Sequence, residues 1–178
     1  MLGVDRGAEY LARDGELIVT TLHLMVGLPC SGKTTAARAL EAEYPALRLT
    51  TDEWHLRLFG DDFGDADDLG HRRHHERHDA LESILWDVAR RALGLGIDVV
   101  LDFGCWTRVE REEFRARAHQ LGVDFRIHFT DASEDVLLER LAARNAAHPE
   151  GTFHIPEVEL KQWLGVFERP SADEFEPS

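Results

Sequence analysis

The stretch "HLMVGLPCSGKTTAARAL", His23 to Leu40, decides the fold. Within it, Gly27-Leu28-Pro29-Cys30-Ser31-Gly32-Lys33-Thr34 satisfies G-x-x-x-x-G-K-[ST] without a mismatch. The run before it, from Leu17 to Val26, is apolar and β-branched, as in a strand covered on both faces of a parallel sheet. The pattern after it is helical from Lys33 to about Glu43, and Tyr44-Pro45 stops it, because proline disfavours the helical conformation in the residue before it. A strand, a glycine-bounded turn and a helix, in that order, gather backbone N–H groups at a helix N-terminus whose dipole favours an anion. In such a loop the Lys33 side chain reaches the β and γ phosphates of a nucleotide and the Thr34 hydroxyl ligates Mg²⁺. The expected nucleotide-binding residues are Gly27, Leu28, Pro29, Cys30, Ser31, Gly32, Lys33, Thr34 and Thr35. The bland alternative is an ordinary glycine-rich turn.

Composition fits one globular domain. The chain has 178 residues, 43% of them apolar, which suffices for a core without disulfides or structural metals. Twenty Lys and Arg against 34 Asp and Glu give a net charge of -14, which repels polyanions and argues against nucleic acid as a partner. The 2 cysteines, Cys30 and Cys105, are too few for a disulfide framework, so a reduced, cytoplasmic compartment is expected. No run reaches the roughly 18 apolar residues a membrane span needs. Residues 1–16 read as a loose extension, and 17–178 as the domain.

Along the chain, strand-like and helix-like segments alternate. Residues 47–50 and 97–102 are apolar strand runs, and Val123, Phe125, Ile127 and Phe129 alternate as a strand. Seven acids between 52 and 68, with glycines nearby, predict an exposed loop. A long helix follows, from about Leu69 to Leu93, with a stripe of Leu81, Ile84, Leu85, Val88 and Ala92. Thr107 with Glu110 reads as a capping box, Ser133 caps a helix to about Ala147, and Pro156 starts a last helix with Leu160, Trp163, Leu164 and Phe167 on one face. The tail from Arg169 reads as irregular. This alternation predicts an α/β, doubly wound parallel sheet of four to five strands flanked by helices, with ligands at the C-terminal strand ends.

The remaining polar positions carry the chemistry. Asp52 follows the second sheet strand, where a carboxylate can accept the proton of an attacking hydroxyl; a plain helix cap is the alternative. Asp102 ends an apolar strand, positioned to hold Mg²⁺ directly or through water, or simply to end the strand. Arg108, Arg111, Arg140 and Arg144 offer cations for a transferring phosphoryl group, and Arg140 and Arg144 share a helix face; surface ion pairs are the competing use. In "HRRHHERH", His71, His74, His75 and His78 lie at i, i+3, i+4 and i+7. A solvated or partly buried helix face, an acceptor pocket and a zinc site are the three readings of that ladder. Trp54, Phe59, Phe63 and Trp106 could stack on an aromatic acceptor or pack in the core.

The segments GLPCSGKTT (27–35), LTTDEW (49–54), VVLDFG (99–104) with Arg108 and Arg111, LLERLAARN (137–145) and VFERPSADE (166–174) together resemble the small P-loop kinases. That group includes chloramphenicol phosphotransferase, zeta toxins, the kinase domain of polynucleotide kinases and many "AAA family ATPase" proteins. The resemblance implies a P-loop NTPase fold with a small helical lid at about 137–156, and an acceptor-binding segment at about 53–78. It implies ATP- or GTP-dependent phosphorylation of a hydroxyl on a small molecule, with Mg²⁺. The catalytic residues it implies are Asp52 as base, Lys33 and Arg140, with Arg144 beside them on the nucleotide and Thr34 and Asp102 on the metal. His55, Arg57, His78 and Arg108 join Asp52 as expected acceptor-side residues. Polynucleotide kinases of this kind have an arginine three residues after the base, where this chain has His55. A polynucleotide kinase, a non-catalytic nucleotide-binding module and a toxin-like kinase of nucleotide sugars are the alternatives.

Overall fold

The computed structural model describes residues 9–11, 17–63, 68–147 and 149–176. Strands β1 (Glu9–Leu11) and β2 (Leu17–Val19) form an antiparallel pair of their own, with Tyr10 opposite Ile18. The main sheet begins one residue later with β3 (Thr21–Val26), every residue of which is buried. The expected single strand from Leu17 to Val26 is therefore two. The break falls at Thr20, whose carbonyl accepts from the Asp124 N–H at 2.9 Å and so starts the parallel pairing, while Val19 stays 51% exposed. The expected loose extension likewise supplies β1; residues 1–8 and 12–16 lie outside the described residues.

Helix α1 (Lys33–Glu43) leads to β4 (Ala46–Thr50), followed by helices α2 (Thr51–Phe59) and α3 (Asp68–Leu93) and strand β5 (Asp98–Gly104). Then come α4 (Arg108–Leu121), β6 (Asp124–Phe129), α5 (Glu134–Ala147), α6 (Glu157–Val166) and a 3-10 turn at Ala172–Phe175. The four strands of the main sheet are all parallel, in the order β4-β5-β3-β6. This is the expected α/β doubly wound sheet flanked by helices, and it puts the loop after β3 at the centre of the C-terminal edge.

Both faces are covered, which explains the unbroken apolar strands. On one face Leu22, Leu24, Val26, Val99 and Leu101 pack against Leu85, Ala89 and Leu93 of α3 and Phe114 and Ala118 of α4. On the other, Met25 and Val100 pack against Ala37 of α1. A third cluster, Leu28, Phe63, Leu137, Leu141, Phe153, Ile155 and Leu160, joins the loop after β3 to α5 and α6.

Three local expectations are corrected. The acid-rich segment after Thr51 opens as helix α2, because Asp52 and Glu53 stand in its first turn and Arg57 in its last, where each charge complements the helix dipole. Asp65 and Asp67 of that segment lie outside the described residues. The buried stripe of α3 is Leu81, Leu85, Ala89, Ala92 and Leu93, whereas Ile84 and Val88 are 56% and 38% exposed. The acidic tail folds back and buries Glu174. The Thr107–Glu110 capping box forms as expected. No helix among the described residues is long and apolar enough to cross a membrane.

Candidate active site

The loop between β3 and α1 is a cradle shaped by its glycines. Gly27 has a φ of +148°, and a β-carbon there would stand 2.5 Å from the Thr130 carbonyl oxygen and 2.7 Å from Ser31 Oγ, so only glycine fits. Gly32 has open space around it but a φ of +105°, which a side chain rarely adopts. The cradle is tied to both neighbouring strands: Gly27 N–H donates to the Gly104 carbonyl at 3.1 Å, and Ser31 Oγ meets Thr130 Oγ1 at 2.8 Å. Lys33 donates to the Leu28 carbonyl at 3.0 Å, folded onto its own loop. Burial depresses its ammonium, against the opposing pull of Asp102 and Asp52.

Beside the cradle, β5 carries Asp102. The β3–β5 register shifts between Leu24, opposite Leu101, and Val26, opposite Gly104. Asp102 and Phe103 therefore face the single residue Met25, a bulge that redirects the strand end toward the loop. Asp102 is 6% exposed, and its Oδ2 has no hydrogen-bond partner among the described residues. Burial raises this carboxyl, while Lys33 and the Thr34 hydroxyl pull it down. A buried acceptor oxygen without a donor, beside a threonine hydroxyl, fits a hard divalent cation such as Mg²⁺.

Across the cleft stands Asp52, in the first turn of α2. Its neighbour Glu53 is held by Arg48 at 3.1 Å and Arg38 at 3.2 Å, whereas the Asp52 side chain is 62% exposed to the cleft. His78 of α3 faces it, Nε2 standing 3.9 Å from Asp52 Oδ1, with His78 Nδ1 3.7 Å from Glu82 Oε1. Desolvation by the cleft walls works to raise the Asp52 carboxyl, but His78, Lys33 and Arg144 outweigh it and hold it below the usual carboxylate range. For His78 desolvation works downward, and Asp52, Glu82 and Asp79 outweigh it, so the imidazole is raised.

Arg140 and Arg144 project from α5 toward the loop. Arg140 Nη1 donates to the Cys30 carbonyl at 3.2 Å. Arg144 is half-buried, and its Nε and Nη2 atoms are buried without hydrogen-bond partners among the described residues. Unpaired guanidinium donors beside an anion cradle are costly unless an anion joins them.

One cleft of about 1820 Å³ is lined by Lys33, Thr34, Asp52, Asp102, Arg140 and Arg144, and Arg57 also borders it. The expected residues that do not line it are Gly27, Leu28, His55 and Arg108; Gly27 shapes the loop from behind and Leu28 is buried in the core. His55 is fully buried on Asp62, and Arg108 points outward to Asp173 and Ser171 at 2.6 and 3.1 Å. Arg111 is fully buried and bound to Glu174. Of the histidine ladder, His74, His75 and His78 border the cleft, and Phe63 is core. Sequence reasoning missed Asp79, Glu82 and Glu110, which line the same cleft. The available signal was Glu82 standing one helical turn beyond His78.

Residues 22–170 match the AAA_33 family, an AAA domain. No curated protein matches the chain. Among solved structures, a "putative kinase" from Chloroflexus aurantiacus J-10-fl is 20% identical with a TM-score of 0.66, over 86% of this chain and 82% of that one. A sugar kinase from Janibacter sp. HTCC2649 is 19% identical with a TM-score of 0.59, over 88% and 82%. Kti12 of Chaetomium thermophilum, solved with ADP-AlF3, is 18% identical with a TM-score of 0.58, over 84% and 81%. At these identities the shared property is the fold.

Proposed function

The chain belongs to the AAA domain family AAA_33, and on that premise we propose that it is an ATP-dependent phosphotransferase acting on a hydroxyl group of a small molecule. The observation that carries this reading is the open Asp52 carboxylate, lining the same cleft as the phosphate cradle while the adjacent Glu53 is tied up by arginines. The acceptor hydroxyl gives its proton to Asp52 as its oxygen bonds to the γ-phosphorus, and the bond from that phosphorus to the β–γ bridging oxygen breaks to release ADP. The loop N–H groups and Lys33 hold the β and γ phosphates, and Arg140 and Arg144 stabilise the charge on the transferring group. Thr34 and Asp102 would hold Mg²⁺, which neutralises the phosphate oxygens when bound. Residues 137–156, the lid, bring the two arginines over the nucleotide.

The acceptor side supports a small neutral or cationic molecule. Asp79, Glu82 and Glu110 line it, and they repel phosphodiesters. His55, at the position where polynucleotide kinases carry their acceptor arginine, is buried on Asp62 and cannot reach an acceptor phosphate.

The test is Asp52→Asn against wild type in an ADP-release assay across sugars, nucleosides, hydroxylated antibiotics and a five-prime-hydroxyl oligonucleotide. We expect an acceptor-stimulated rate that falls about 10²-fold or more in Asp52→Asn while ATP binding persists. Acceptor-stimulated release that survives the substitution overturns the reading, and stimulation by the oligonucleotide alone replaces it with a polynucleotide kinase.

A further inference from the structure

Asp62, in the turn between α2 and α3, is 8% exposed and sits at the centre of three hydrogen bonds. His55 Nε2 and His74 Nδ1 each lie 2.7 Å from its Oδ1, and Arg77 Nη1 lies 2.7 Å from its Oδ2. A carboxylate only accepts, so all three partners donate. Burial works to raise this carboxyl, but the bonds from His74, Arg77 and His55 outweigh it and hold it ionised.

Placement on the helices gives this hub its reach. His55 follows Asp52 by three residues on α2, and His74 precedes His78 by four on α3. Residues at those spacings share a helix face. The two faces that meet at Asp62 therefore carry, one turn along, Asp52 and His78, whose Oδ1 and Nε2 stand 3.9 Å apart. The two histidines of the hub are buried, His55 0% and His74 6% exposed, whereas the Asp52 side chain is 62% exposed to the cleft. The turn is also anchored from the lid side: Asp61 Oδ2 accepts from the His154 N–H at 2.8 Å, and Phe63 packs among Leu28, Leu137 and Phe153.

We propose that Asp62 is a positioning residue: by taking a hydrogen bond from α2 and another from α3, it sets the gap across which His78 faces Asp52. Its catalytic meaning rests on Asp52 being the base, as proposed above; its geometry does not. The titratable groups facing His78 are Asp52 and His55 from α2 and His74, Asp79 and Glu82 from α3, the two imidazole rings at 6.4 and 6.2 Å, with Glu110 of α4 behind Glu82.

The first readout needs no turnover: an NMR titration of ¹³C-histidine-labelled protein, with His78 identified by the signal lost in His78→Gln. In Asp62→Ala and His74→Ala the His78 midpoint should fall by roughly half a pH unit or more as Asp52 recedes. His74→Asn should restore it, because an asparagine amide nitrogen occupies the place of histidine Nδ1, and His55→Gln should be tolerated because a glutamine amide nitrogen occupies that of Nε2. The second readout is slow hydrolysis of MgATP with water as acceptor, expected to fall about tenfold in Asp62→Ala and to fall no further when Asp62→Ala is added to Asp52→Asn.

An unmoved His78 midpoint in folded Asp62→Ala overturns the proposal, as does His74→Asn behaving like His74→Ala. If Asp62→Ala fails to fold, the His74 pair decides. One zinc per chain in protein prepared without a His tag, released by Asp62→Ala, also overturns it, because the three convergent ligand atoms would then serve a metal. Failure of the kinase reading would abolish the hydrolysis readout and leave the titration standing.

Discussion

Arg111 and Glu174 form a buried two-pronged ion pair across 63 residues of sequence, Nε to Oε2 at 2.7 Å and Nη2 to Oε1 at 3.1 Å. Each side chain is 1% exposed. Arg111 Nη1 also donates to the carbonyls of Trp106 and Glu168, at 3.2 and 2.9 Å, and the Ser171 N–H donates to Glu174 at 3.0 Å. The pair straps the tail over α4, behind the Trp106 wall of the cleft. Glu174→Ala strands a buried guanidinium and should cost about 3–5 kcal/mol by urea unfolding, whereas Arg111→Met with Glu174→Leu should cost much less.

Acid should weaken the protein in two windows. His23 is 3% exposed, and burial, assisted by the charge of His128, lowers its midpoint from 6.5 to about 4. From pH 6.5 down to about 4 the unfolded chain takes up a proton that the folded chain refuses, so stability falls, by on the order of 2–3 kcal/mol. Glu174 has the opposite origin: Arg111 and Ser171 overcome burial and lower its carboxyl, so its contribution is present above the unfolded carboxylate value and is lost as pH falls through the lower folded one. Urea titrations at stepped pH should show His23→Leu flattening only the first window; an unchanged slope there would refute the assignment.

The two cradle glycines should fail differently. Gly27→Ala drives a methyl group to 2.5 Å from the Thr130 carbonyl and should lower both Tm and nucleotide affinity. Gly32→Ala meets no atom within 4 Å, so its cost is the strain of a φ of +105°, about 1–2 kcal/mol, with weakened nucleotide binding. Thermal unfolding paired with calorimetric ATP titration separates clash from strain.

Arg144 should show a sign split. Its two buried nitrogens without partners among the described residues burden the free protein, so Arg144→Met should keep or raise the Tm without nucleotide. The same change should weaken ATP binding and slow phosphoryl transfer about 10²-fold or more. A loss of Tm without ligand would mean that the guanidinium is structural.

His78→Gln removes the cation that helps hold Asp52 ionised, so the Asp52 carboxyl should rise. A base works only when deprotonated, and the acid limb of kcat/KM should move to higher pH. A limb that stays in place would uncouple the two residues.

The phosphate loop and the strand–helix alternation could be read from sequence because each is local. G-x-x-x-x-G-K-[ST] spells out its backbone geometry, and Lys33–Glu43 and the Thr107–Glu110 box form from neighbours in the chain. That Asp52, Lys33, Thr34, Asp102, Arg140 and Arg144 line one cleft was also legible, since each lies near a strand end or on a helix beside one. Composition misled where a charge had a remote partner. The acids of 52–68 resembled a solvated loop, yet two of them begin a helix and Asp62 binds two histidines and an arginine. Arg111 resembled a phosphate ligand until the fold brought Glu174 to it. Sequence settles what a residue can donate, accept or ionise; the packed structure alone decides which charges meet, because pairing depends on distances between segments that no local pattern encodes.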